Sequence, residues 1–62
     1  MFEALIKAAA FGKTACETGI HRATALDSRF LPLLRGLTPK ESMRVMDAWY
    51  KAWDKANLSS DE

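Results

Sequence analysis

The chain has 62 residues, nearly half of them hydrophobic, and nine basic residues set against eight acidic ones leave a net charge of +1. That length allows one domain with a marginal core, the near-neutral balance does not by itself advertise nucleic-acid binding, and the apolar content excludes a disordered composition. A lone cysteine excludes an internal disulfide and reads as cytosolic. Glu3, Lys7 and Lys13 interrupt every apolar run near the N-terminus, so neither a signal peptide nor a membrane span is expected.

The first predicted element is a helix over about 2–18, rich in alanine, leucine, lysine and glutamate. Phe2, Leu5, Ile6, Ala9 and Cys16 share one face, and Ala4, Ala8, Phe11 and Ala15 form a second apolar strip. Gly12 interrupts this helix at about 1 kcal/mol relative to alanine. With Ala8, Ala9 and Cys16 it forms a shallow groove, which Trp49 and Trp53 are expected to fill. Gly19 is placed to end the helix in the left-handed conformation, with Ile20 folding back as the apolar contact.

A short middle helix is predicted over about 20–31, with Ile20, Ala23, Leu26 and Phe30 inward. His21, Arg22, Thr24, Asp27 and Arg29 are its exposed positions. Pro32 disfavours helical geometry at Leu31, and one further turn closes at Gly36. Leu37 is placed to staple against Ser42 and Met43.

The strongest helix runs over about 38–58. Thr38 caps it, Pro39 fits the first helical position, and Glu41 completes a capping box. Met43, Met46, Trp49, Tyr50 and Trp53 share one face, and Val45, Ala52 and Ala56 widen it to about half the circumference. Residues 59–62 are a polar tail expected to fray. The expected fold is therefore all-α: one helical domain over 1–58, its two long helices antiparallel or steeply crossed.

Catalytic and metal constellations are not apparent. Cys16 and His21 lack an orienting carboxylate and an oxyanion hole, and they supply too few ligands for structural zinc. Gly12, Gly19 and Gly36 are too dispersed for a phosphate loop. No enzymatic activity, cofactor or small-molecule substrate is expected.

The wide apolar arc points instead to association. Trp, Tyr and Met are enriched where proteins meet, so Met43, Met46, Trp49, Tyr50 and Trp53, with Leu34 and Leu37, are the candidate protein interface. The expected assembly is a homodimer through helical faces, because a core this small is commonly supplemented by oligomerisation. The expected function is that of a small non-enzymatic regulator that binds another macromolecule, a host protein or one of its own regulatory system. A second reading has Leu33, Leu34 and Leu37, beside Arg35, docking on a host enzyme as an inhibitor.

One segment, Lys13-Thr14-Ala15-Cys16-Glu17-Thr18-Gly19-Ile20, resembles the first helix and turn of the helix-turn-helix in Cro-type repressors of lambdoid phages. Ala15, Gly19 and Ile20 stand at the small, turn and apolar places of that motif. Thr18, Ala25 and Ser28 depart from it, and the same residues also read as a plain glycine C-cap. The resemblance implies a recognition helix over 21–30, with His21, Arg22, Thr24 and Arg29 toward DNA and Arg22 as the guanine contact. Overall the chain looks like a small regulatory protein of a temperate phage or plasmid.

Overall fold

A computed structural model describes the backbone of residues 2–60 and the side chains of residues 3–59. Helix α1 spans Phe2–Glu17 and helix α2 spans Pro39–Ser60. No strand occurs among the described residues. The all-α class and both long helices are as expected. Ser59 and Ser60, placed in the polar tail by sequence, continue α2, while Asp61 and Glu62 lie outside the described residues.

The end of α1 follows from Gly19, whose φ of 86° only glycine adopts without strain. Its N–H donates to the Cys16 carbonyl at 3.2 Å, and the Ile20 N–H reaches back to the Ala15 carbonyl at 2.9 Å. This bond pair is the Schellman closure, which satisfies carbonyls the helix leaves free. The start of α2 is the capping box: the Thr38 N–H donates to Glu41 Oε1 at 3.0 Å, and the Glu41 N–H donates to Thr38 Oγ1 at 3.3 Å.

The middle segment departs from expectation. Residues 18–38 form no α-helix; they contain two 3-10 turns, Thr24–Leu26 and Leu31–Leu34. Ala23 is extended, with φ −153° and ψ 117°, which breaks any helix begun at Ile20. Asp27 then takes the backbone N–H groups of Arg29 and Phe30 on Oδ1, at 3.2 and 3.3 Å. A side chain that serves those amides replaces the carbonyls a helix would use.

The direction of the long helices is also corrected. Gly12 packs against the backbone of Trp49, and Ile20, just beyond α1, meets Trp53 further along α2. Contacts thus advance together, and the two helices run side by side in the same direction. A parallel pair needs a return path, and 21 residues cover the ~24 Å length of α1 with ease. The connection lies along one side of the pair and closes the core there. Ala8, Ala15, Phe30, Val45 and Trp49 are buried, with Leu33, Leu34, Leu37, Met46 and Trp53 packed around them. Phe30 stacks at a tilt on Trp49 with centroids 6.1 Å apart, and Tyr50 meets Trp49 edge-on at 5.3 Å.

Candidate interaction surface

The aromatic face read from sequence as an interface is largely internal. Trp49 is 0 % exposed, and its indole N–H donates to Asp27 Oδ2 at 2.9 Å. Trp53 is half-buried and donates its N–H to the Ile20 carbonyl at 2.9 Å. Met46 is half-buried and accepts the Thr24 hydroxyl on sulfur at 3.8 Å. Leu34 and Leu37 are half-buried against the core. Of the predicted interface only Met43, at 67 %, stands open to solvent. The returning connection covers the rest, which is why an arc that looked too wide for one partner helix is mostly satisfied within one chain.

The residues that the repressor resemblance turns toward DNA do not share a recognition helix. Thr24 is buried rather than exposed, and His21 and Arg29 are exposed but lie outside any α-helix. Arg22 is committed within the chain: Nε donates to Asp54 Oδ1 at 2.6 Å, a second nitrogen to Oδ2 at 3.0 Å, and the guanidinium lies 4.6 Å from the Tyr50 ring centroid. This fork fastens the connection to α2 with the bidentate geometry that arginine favours.

Asp27 and the Arg22–Asp54 clamp were not identified from sequence as structural groups. A signal for the first exists, since Asp27 stands before Ser28-Arg29-Phe30 and Pro32, where an Asx turn ends regular structure. No local signal marks the second, because its partners are 32 positions apart.

The clamp and the capping box set a pH dependence. The Arg22 guanidinium holds the Asp54 carboxyl below its ordinary value of 3.8, and the Thr38 amide holds Glu41 below its ordinary 4.5. Lowered folded-state values mean stability that is complete above those ordinary values and lost as pH falls through and below them. Urea midpoints are therefore expected to drop between pH 5 and pH 3, with a smaller drop in Asp54→Asn and Glu41→Gln. Identical slopes in wild type and both variants would contradict this assignment.

The uncovered surface lies on the opposite side of the helix pair. There α1 and α2 enclose an open groove of about 700 Å³. The half-buried Ala9, Ala52 and Ala56 form its floor, and the exposed Ala10, Lys13, Glu17, Lys55 and Ser59 its rim. The groove exists because Gly12 brings α1 onto the α2 backbone while alanines flank the contact. From sequence, Trp49 and Trp53 are expected to fill the space beside Gly12. Instead the Trp49 carbonyl occupies it, and the indole turns away toward Phe30 and Asp27.

A smaller cavity of about 270 Å³ lies between α1 and the connection, with Phe11, Ala15, Ile20 and Leu26 among its lining. Cys16 is half-buried with a free thiol. Among the described residues no three His, Cys, Asp or Glu side chains gather as a metal site, and no helix is long and apolar enough to cross a membrane. Set against known protein families, curated proteins and solved structures, the chain matches none.

Proposed function

We propose that this chain is a small non-enzymatic regulatory protein that acts by binding another protein, and that it binds through the uncovered face of the α1/α2 pair. The observation that carries this reading is the asymmetry of cover. The connection spends its apolar side chains on one side of the pair, and the other side keeps an alanine-floored groove between two rigid helices. An apolar groove between helices is a recurring surface for docking an amphipathic segment of another protein. The aromatic residues support the role indirectly, by holding the scaffold on which the groove is formed.

The test is capture from cells that express the protein, with wild type and Ala10→Trp as parallel baits. Ala10 is exposed at the groove, so the indole fills the site without entering the core. Wild type is expected to retain a protein that Ala10→Trp loses, with unchanged circular dichroism in the variant. Equal recovery by both baits would reject the groove as the binding surface.

A further inference from the structure

Resting on the binding role proposed above, we infer that the groove's occupant is an acidic-flanked amphipathic helix of a different protein. The shape of the groove suits a helix. With only Cβ methyls on its floor, the groove lets a third helix approach to the ~8–10 Å axial separation of packed helices. From Ala9 to Glu17 it runs ~12 Å at 1.5 Å per residue, the length of about two helical turns. Ile6, 57 % exposed, stands one turn before Ala10 on α1 and offers an apolar anchor at the near end.

The charges beside the groove suit acidic flanks. Lys13 from α1 and Lys55 from α2 both line the groove, and neither makes a salt bridge among the described residues. Glu17 is the one acid in the lining. Along the α2 edge, Arg44, Lys51 and Lys55 fall within about 40° of one another at ~100° per residue, and all three are exposed. Lys51 is engaged by Asp47 at 2.9 Å, and Arg44 lies near the Glu41 carboxylate, which leaves the groove lining with two lysines against one glutamate, a net positive charge. An apolar helix face bordered by Glu or Asp answers this pattern. A second copy answers it less well, since its own groove brings two lysines for each glutamate.

Two synthetic peptides with one alanine/leucine face test the inference, one flanked by glutamates and the other by lysines. Fluorescence anisotropy in low salt is expected to show the glutamate peptide binding at least about tenfold more tightly, the worth of two or three exposed ion pairs. The gap should close in high salt, where the screening length falls to ~3 Å. Lys13→Glu with Lys55→Glu, both at solvent-exposed positions, should reverse the preference. Equal affinity for the two peptides, no binding of either, or a preference for the lysine peptide would overturn the acidic occupant. A concentration-dependent doubling of mass in light scattering, abolished by Ala10→Trp, would overturn it in favour of a second copy. Those failures are distinct from failure of the binding role, which is judged by whether cellular capture depends on Ala10.

Discussion

Gly12→Ala is expected to destabilise the fold by about 3 kcal/mol, enough to unfold much of the population of so small a domain. In an open helix the same change adds about 1 kcal/mol of stability, because alanine is the better helix former. Here a Cβ would overlap the Trp49 carbonyl oxygen and stand 3.0 Å from the carbonyl carbon and 3.1 Å from Cα. All three atoms are backbone of α2, so no side-chain rotation relieves the clash. The helices must separate, which loosens the packing of Ala8, Ala15 and Val45 together. Urea unfolding followed by circular dichroism checks the sign, and tryptophan fluorescence reports whether Trp49 meets solvent. A variant as stable as wild type, or more so, would show that the close approach is not maintained.

Asp27→Ala is expected to cost a similar amount, about 3 kcal/mol, and to free the connection from the helix pair. Asp27 is 5 % exposed, and its carboxylate receives three N–H groups: Arg29 and Phe30 from the backbone and the Trp49 indole. Alanine leaves the indole donor in an apolar interior without an acceptor, and unsatisfied buried groups carry the larger penalty. Asparagine separates the contributions. One oxygen can still serve the two amides, but the amide nitrogen then faces the indole donor, so Asp27→Asn should fall between wild type and alanine. A double-mutant cycle with Trp49→Phe is expected to give a coupling of about 1–2 kcal/mol. Strict additivity of the two single effects would remove Asp27 from its role as the acceptor for Trp49. Loss of this acceptor should also increase proteolysis between Ile20 and Leu37, because the segment makes no regular ladder of its own.

The groove and the core clamp thus depend on each other at one position of α2. Trp49 offers its carbonyl to Gly12 on one side and its indole to Asp27 on the other. The first contact sets the separation of the helices and so the width of the groove. The second holds the connection on the far side. The candidate site is consequently a property of how three segments meet, and no single stretch of sequence displays it.

Both helices and their ends were legible in the residues alone. Thr38 and Glu41 are three positions apart, and Ala15, Gly19 and Ile20 lie within one turn and its closure, so their hydrogen bonds form wherever the chain is locally helical. The faces of α1 and α2 were legible for the same reason, since a period of 3.6 is a local property. Which apolar face would be covered, by what, and in which direction the helices would run was decided only in three dimensions. Ile20, Ala23, Leu26 and Phe30 have helical spacing, yet Asp27 satisfies an indole 22 positions away and Arg22 a carboxylate 32 away. Those distant partners stabilise an irregular connection that local periodicity cannot anticipate, and a connection of that length covers just one side of two parallel helices. The aromatic stripe therefore became core, and the alanine side, the less conspicuous in sequence, was left facing water.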